Sequence, residues 1–118
     1  MTFAQEIKGS DYLVQYDSAS ATVNLTGELS LGGPTEYEPI ANLLNEVAKT
    51  NPPIITVNLR ELAFLNSSGI TMLSKFVLGL RKKKGTQVVI LGSNDMPWQE
   101  KSLKNLEQLL PGLRVEIE

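Results

Sequence analysis

Residues 54–80 read IITVNLRELAFLNSSGITMLSKFVLGL, which is a β-branched run, a polar junction and a helical pattern in succession. The run at 54–59 follows two prolines, and its density of β-branched side chains predicts a buried central strand. Apolar residues then return at helical spacing around Leu73, at about 100° per residue. The predicted buried face of this helix contains Gly69, Ile70, Leu73, Phe76, Val77 and Leu80, and its opposite face contains Thr71, Ser74, Lys75, Leu78 and Lys82.

Toward the N-terminus the pattern predicts a β-hairpin followed by a loop. Residues 12–16 and 21–25 are typical of two short strands, and the turn-forming residues 17–20 separate them. Residues 27–34 contain three glycines and a proline, and they are therefore predicted to form a loop.

A helix is predicted after this loop, because apolar residues recur at helical spacing across residues 37–48. Its start has two alternatives. Thr35 and Glu38 have the spacing of a capping box, whereas Pro39 suits the first helical position, where its missing N–H costs nothing. The helix must end before residues 51–53, since a residue that precedes proline disfavours the helical conformation.

Toward the C-terminus the pattern predicts a strand, a helix and a last strand. The basic residues 81–84 and Gly85 are typical of a helix end. Residues 87–91 are predicted to form a buried strand, and Pro97 is predicted to open a third helix. Residues 111–112 end that helix, and an edge strand follows. Its alternating apolar residues are Val115 and Ile117, and the predicted core positions before it are Trp98, Leu103, Leu106, Leu109 and Leu110.

The element order is therefore β-β-α-β-α-β-α-β. This order predicts an α/β fold, with a mixed sheet of about five strands and helices packed against it. At 118 residues the chain is expected to form a single domain that spans residues 1–118.

The composition excludes much of enzyme chemistry. The chain contains no histidine and no cysteine. It therefore has no thiolate nucleophile, no Ser-His or Cys-His dyad and no zinc-finger site, and only hard metal ions would suit its oxygen ligands. We expect no enzymatic activity, no catalytic residue, no bound metal and no cofactor.

The charge and hydropathy patterns bear on partners and location. The net charge of −2 argues against nucleic acid as the main partner, because phosphate binding needs a positively charged surface. The first residues do not resemble a signal peptide, and no stretch approaches the roughly 18 apolar residues of a membrane span. We therefore expect a cytoplasmic protein without membrane insertion.

The polar junction before the second helix is the most informative candidate site. Asn66, Ser67 and Ser68 are all favoured N-cap residues, and the first turn of a helix accepts a phosphate readily. Two interpretations remain open, namely that the serines only cap the helix or that one hydroxyl is phosphorylated. A nucleophilic serine is not expected, because Leu65 stands where the G-x-S-x-G motif has its first glycine. Leu78 is either an ordinary exposed leucine or a partner contact.

Four segments together resemble the STAS domain of the anti-sigma-factor antagonist family, over nearly the whole chain. Gly27-Glu28-Leu29 resembles the Gly-Glu-Leu that closes the second strand in that family, and residues 59–64 resemble its central strand and exit loop. Asn66-Ser67-Ser68-Gly69-Ile70 resembles the family's Asp-Ser-Ser-Gly-Leu signature, and residues 88–92 resemble the next strand.

The resemblance implies a partner-switching regulator. A serine kinase of the anti-sigma type would phosphorylate Ser67, a PP2C-type phosphatase would remove the phosphate, and only the unphosphorylated form would bind the kinase. The loop from Glu28 to Gly33 would lie beside the acceptor on the partner face. The resemblance and the helix pattern together give the expected partner-binding residues as Glu28, Ser30, Asn66, Ser67, Ser68, Gly69, Thr71 and Leu78.

Two residues depart from the family's pattern. Asn66 and Ser30 stand where the family commonly has Asp, and both replacements remove negative charge near the acceptor. This loss either eases phosphoryl transfer or removes contacts that the kinase recognises. The alternative function is a STAS scaffold that is never phosphorylated, for example an accessory subunit of a lipid-transport ABC system that docks on the ATPase.

Overall fold

The computed structural model describes residues 5–81, 85–109 and 112–118, the side chains of Arg81 and Leu109 excepted. Within these residues the elements along the chain are β1 (Glu6–Lys8), β2 (Tyr12–Asp17), β3 (Thr22–Leu29), α1 (Pro34–Lys49), β4 (Ile54–Leu65), α2 (Ser67–Arg81), β5 (Gln87–Gly92), α3 (Gln99–Leu109) and β6 (Leu113–Ile117). None of these helices is long and apolar enough to span a membrane.

The predicted mixed α/β architecture is confirmed. In the described part of the chain, six strands form one sheet in the order β1-β2-β3-β4-β5-β6. The first two pairs are antiparallel and the next three are parallel, as expected for strands joined by crossover helices. The strand that the sequence did not predict is β1, whose three residues are too few to show an alternating pattern.

One face of the sheet carries the hydrophobic core. Ile55, Val57 and Leu59 of β4 are fully buried and belong to a cluster that includes core residues from α1, α2 and α3. Thr56 and Asn58 alternate with them and are only partly buried, because successive side chains of a strand point to opposite faces. The strand is central as predicted, but it is buried on one face only.

An irregularity between β3 and β4 lengthens β4 beyond the predicted segment. Asn24 pairs with Asn58, whereas Thr26 already pairs with Glu61, so that β4 bulges by one residue at this point. A second shift follows, since Gly27 pairs with Leu62 and Glu28 with Phe64. The carbonyls of Leu59 and Leu62, one at each shift, accept from the side chain of Gln99 in α3, at 2.5 and 3.0 Å respectively.

The predicted loop at residues 27–34 begins too early in the sequence. Gly27-Glu28-Leu29 is the end of β3, as the family resemblance implies, and not part of the loop that the glycines predict. Gly27 has φ 91°, and a Cβ atom there would lie 2.2 Å from the carbonyl oxygen of Asp11, so that only glycine fits this position of the strand. The carbonyl of Asp11 also accepts the N–H of Glu28 at 2.8 Å, which continues the pairing to the end of β3.

The start of α1 differs from both predicted alternatives. Gly33 is the N-cap residue, and its carbonyl accepts the N–H groups of Glu36 and Tyr37 at 3.1 and 3.2 Å. Pro34, at the first helical position, begins the helix, and Pro39 lies inside it. A glycine cap without a side-chain bond leaves no polar signature in the sequence, which explains why the start was misplaced.

At the C-terminal end β6 is an edge strand as predicted. The helix α3 begins at Gln99, so that Pro97 lies in the turn before the helix and not in its first turn as predicted. The basic residues 82–84 and the residues Leu110 and Pro111 lie outside the described part of the chain.

Candidate functional site

The predicted junction lies where β4 ends and α2 begins. Asn66 is the N-cap residue of α2, since its Oδ1 atom accepts the N–H of Gly69 at 3.1 Å and its carbonyl accepts the N–H of Ile70 at 3.0 Å. The hydroxyl groups of Ser67 and Ser68 make no hydrogen bond with any of the described residues. Of the three capping candidates, Asn66 alone is therefore the cap.

Asn66 also joins α2 to two other segments. Its Oδ1 atom accepts the hydroxyl of Tyr37 in α1 at 2.6 Å. Its Nδ2 atom donates to the carbonyl of Leu31 at 2.8 Å, and its backbone N–H donates to the carbonyl of Leu29 at 3.1 Å. These bonds hold the end of β3, the following turn and the start of α1 against the start of α2. An Asp at this position could not donate to Leu31, which gives a structural reason for the amide.

Tyr37 is buried beneath this junction, with 1% of its surface exposed. Burial raises the pKa of its phenol above the ordinary value, an effect that the backbone of Leu31 partly opposes and Tyr12 adds to. The phenol is therefore neutral at pH 7, and its O–H group donates a hydrogen bond to Oδ1 of Asn66. Its contribution to stability is fully present below about pH 10 and is lost as the pH rises above that value.

The predicted partner-binding residues of α2 form a surface stripe. Ser67, Thr71 and Leu78 are exposed, and Ser68 is half-buried at the first turn. Residues four and seven positions apart follow one another along a helix face, so that the stripe extends about 16 Å from Ser67 to Leu78 at 1.5 Å per residue. Gly69 is buried on the inner side of α2, beneath this stripe, next to Leu65 and Tyr37.

Glu28 and Ser30 lie on the neighbouring segment. Both are exposed, and Ser30 is adjacent to the stripe because Leu29 and Leu31 on either side of it are bonded to Asn66. Phe64 pairs with Glu28 across the parallel strands and is 43% exposed. The sequence did not single out Phe64, because β4 was predicted to end before it. Because Phe64 is a large exposed aromatic residue beside Glu28, it extends the candidate surface.

A groove of about 340 Å³ lies between α1 and α2, directly beside Ser67. We call it the α1–α2 groove. Its walls are four residues of α1 and six of α2, which are Pro34, Tyr37, Ala41 and Asn45 on one side and Ser67, Ser68, Thr71, Met72, Lys75 and Phe76 on the other. The described residues contain no cluster of three or more acidic side chains suited to a metal ion.

The packing of Gly69 leads to the first testable prediction. A Cβ atom at this position would lie 2.2 Å from Cδ1 of Leu65 and 2.9 Å from the hydroxyl of Tyr37. We expect Gly69→Ala to lower the free energy of unfolding by about 1–3 kcal/mol, since Leu65 is itself confined in the core. Urea denaturation followed by circular dichroism measures this change.

The same helix supplies a matched control. Gly79 is exposed, and among the described residues a Cβ atom there would have no atom within 4 Å apart from its chain neighbours and the nearby backbone of its own helix. Gly79→Ala is therefore expected to raise the free energy of unfolding by about 0.5–1 kcal/mol, which is the ordinary helix preference of alanine over glycine. A Gly69→Ala protein as stable as the wild type would contradict the tight packing beneath Ser67.

Comparison with known proteins gives matches by structure alone. No family model and no curated protein sequence matches the chain. A chain in the crystal structure of the diguanylate cyclase SiaD in complex with its activator SiaC from Pseudomonas aeruginosa superposes with a TM-score of 0.70 and 10% identity, over 96% of this chain and 98% of that one.

Two further solved structures agree with this result. Apo-SiaC from Pseudomonas aeruginosa gives a TM-score of 0.68 and 14% identity, over 96% of each chain. An anti-sigma factor antagonist from Mycobacterium paratuberculosis gives 0.61 and 19% identity, over 92% of this chain and 90% of that one. The chain therefore has the fold of these regulatory proteins, which is the STAS fold that the sequence predicts.

Proposed function

We propose that this protein is a partner-switching regulator in the cytoplasm that is controlled by reversible phosphorylation of Ser67. The observation that carries the proposal is that capping and exposure fall on different residues of the junction. Asn66 caps α2, while Ser67 is exposed and its hydroxyl makes no hydrogen bond within the described residues. A kinase can therefore reach Ser67 without breaking the bonds that hold the helix start in place.

The electrostatics of the junction favour a phosphate at this position. Phosphorylation adds about −1.5 to −2 charges at pH 7, and the N-terminal end of a helix stabilises negative charge. Asn66 and Ser30 carry no charge where the family commonly has Asp, so that fewer negative groups repel an incoming phosphate. The added charge would change the surface formed by Ser67, Thr71 and Ser30 and leave the fold intact.

In the proposed cycle the unphosphorylated protein binds a serine kinase of the anti-sigma type and releases that kinase's other client. Phosphorylation of Ser67 ends the binding, and a PP2C-type phosphatase restores it. Structural likeness to an anti-sigma factor antagonist supports the first step. The likeness to a chain from the complex of the diguanylate cyclase SiaD with its activator SiaC supports a protein partner. It also means that the client is either a sigma factor or a signalling enzyme.

Phosphorylation is tested with the cell's own anti-sigma-type kinase, ATP and intact-mass spectrometry. We expect the wild type and Ser68→Ala to gain one phosphoryl group and Ser67→Ala to gain none. Ser68 is the matched control because it has the same side chain one residue further along the same helix. Undiminished phosphorylation of Ser67→Ala would contradict the assignment.

The switch itself is tested by measuring the affinity of the kinase for two variants. We expect Ser67→Glu to weaken binding by about tenfold or more, because a carboxylate covered by the partner without a paired charge loses its hydration. Ser67→Ala is expected to bind like the wild type. Equal affinities of the two variants would exclude a charge-based switch, and co-purification with an ABC ATPase instead of a kinase would favour the scaffold alternative.

A further inference from the structure

The α1–α2 groove has the dimensions of a small-molecule site. The helices lie side by side with their N-terminal ends together, as the bond between Tyr37 and Asn66 shows. Lys75 lies two turns beyond Ser67, so that the groove extends about 12 Å between them. Its volume of about 340 Å³ is within the range of ligand pockets, roughly 300–1,000 Å³.

The floor of the groove is apolar. Tyr37, Ala41, Met72 and Phe76 line it, and the small side chain of Ala41 keeps α1 from filling it. A floor of aromatic rings and a thioether suits an unbranched hydrocarbon chain, because methionine and aromatic side chains make dispersion contacts along its length. Covering this floor removes apolar surface from water at both the ligand and the protein.

The positive charge in the groove lining favours a ligand that carries a negative charge. Lys75 is the only charged residue among those that line it. Its ammonium group makes no ion pair with any described residue, whereas Glu46 on the neighbouring helix is already paired with Lys49 at 3.3 Å. An occupant with a negative group at the Lys75 end would therefore meet an unpaired cation and no nearby carboxylate on the groove wall.

We propose that the α1–α2 groove binds a small amphipathic carboxylate. The unbranched tail lies over Ala41, Met72 and Phe76, and the carboxylate is paired with the ammonium of Lys75. Binding at this site needs neither a kinase nor a phosphate, and it is therefore independent of the proposed function.

The site has a consequence for regulation that does rest on the proposed function. A bound carboxylate and a phosphate on Ser67 would be about 12 Å apart in the same groove, which is beyond the Debye length of about 8 Å at physiological ionic strength, so that salt screens most of their repulsion. The coupling that remains is reciprocal: the ligand disfavours phosphorylation to the same small extent that the phosphate weakens ligand binding.

The binding test uses unphosphorylated protein and decanoate, with isothermal titration calorimetry for affinity and amide NMR shifts for location. We expect saturable binding that perturbs the amides around Ala41, Met72 and Lys75. Nonyltrimethylammonium has the same nine-carbon tail and the opposite charge, and it is expected to bind at least about fivefold more weakly, because Lys75 repels it.

Two variants and one control locate the site. Lys75→Gln is expected to weaken decanoate binding by about two- to fivefold, the range of a solvent-accessible ion pair. Lys101→Gln, an exposed lysine of α3 far from the groove, is expected to leave it unchanged. Ala41→Leu fills the groove and is expected to abolish saturable binding, with circular dichroism confirming that this variant is folded.

Several results would overturn the proposal of a carboxylate site. These are the absence of saturable decanoate binding to the wild type, an equal loss in Lys75→Gln and Lys101→Gln, or equal affinities for the anionic and cationic amphiphiles. Each is distinguishable from failure of the proposed function, because no step of the measurement involves phosphorylation of Ser67.

Discussion

Replacing Gln99 with Met is expected to lower the free energy of unfolding by about 3–5 kcal/mol, because it removes three hydrogen bonds to backbone groups, of which the carbonyl of Leu62 keeps a second donor in the indole N–H of Trp98 at 3.0 Å. The side chain of Gln99 is fully buried. Its Nε2 atom donates to the carbonyls of Leu59 and Leu62, and its Oε1 atom accepts the N–H of Ser93 at 2.7 Å. Met has a similar volume and none of these groups, so that the packing is nearly retained and the hydrogen bonds are lost.

The measurement is urea denaturation, with Gln108→Met as the matched control. Gln108 lies on the same helix and is exposed, so the same substitution there is expected to change the free energy of unfolding by less than about 0.5 kcal/mol. A loss below about 1 kcal/mol for Gln99→Met would show that water or a shifted backbone satisfies the bulge of β4 without this side chain.

A second substitution at the same position, Gln99→Glu, tests through the pH dependence of stability whether the side chain faces hydrogen-bond acceptors. In Gln99→Glu an ionised carboxylate would face two carbonyl oxygens in a buried site, which raises its pKa. A raised pKa in the folded state means that stability is retained below the ordinary glutamate value of about 4.3 and is lost as the pH rises. Relative to the wild type at each pH, Gln99→Glu is therefore expected to be less stable at pH 7 than at pH 4.

The sequence predicts the element order and the core face because both depend on local periodicity. Leu73, Phe76 and Val77 are buried on α2 where the helical spacing places them, and Thr71 and Leu78 are exposed opposite them. Such patterns need only neighbouring residues. The junction at residues 66–68 was likewise predicted from residue types alone, since short polar side chains before an apolar run are typical of a helix start.

The features that the sequence did not show depend on distant segments. Gln99 is an ordinary polar residue in the first turn of a helix, and its partners are carbonyls at the irregular part of β4, about 40 residues earlier in the chain. The further bonds of Asn66 with the carbonyl of Leu31 and the hydroxyl of Tyr37 reach segments about 30 residues away in the sequence, and no local pattern shows them. The α1–α2 groove is created by the packing of two helices and has no local signature.

The bonds of Asn66 make its truncation the second large effect. We expect Asn66→Ala to lower the free energy of unfolding by about 2–4 kcal/mol, because it removes the cap of α2 and leaves the buried hydroxyl of Tyr37 without its acceptor. The carbonyl of Leu31 loses its donor as well, so that the turn beside Ser30 is released. Urea denaturation gives the total, and hydrogen exchange of the first amides of α2 shows where the loss is located.

Asn66→Asp separates the cap from the bond to Leu31. The carboxylate still accepts from Gly69 and Tyr37, and a negative charge suits the N-terminal end of α2, but it cannot donate to the carbonyl at 2.8 Å. We expect this variant to lose about 1–2 kcal/mol, clearly less than Asn66→Ala, with faster exchange confined to the turn around Ser30. An Asn66→Asp protein as stable as the wild type would mean that the bond to Leu31 contributes no more than the negative charge gains at the N-terminal end of α2. The amide would then be explained by the charge that it removes beside Ser67.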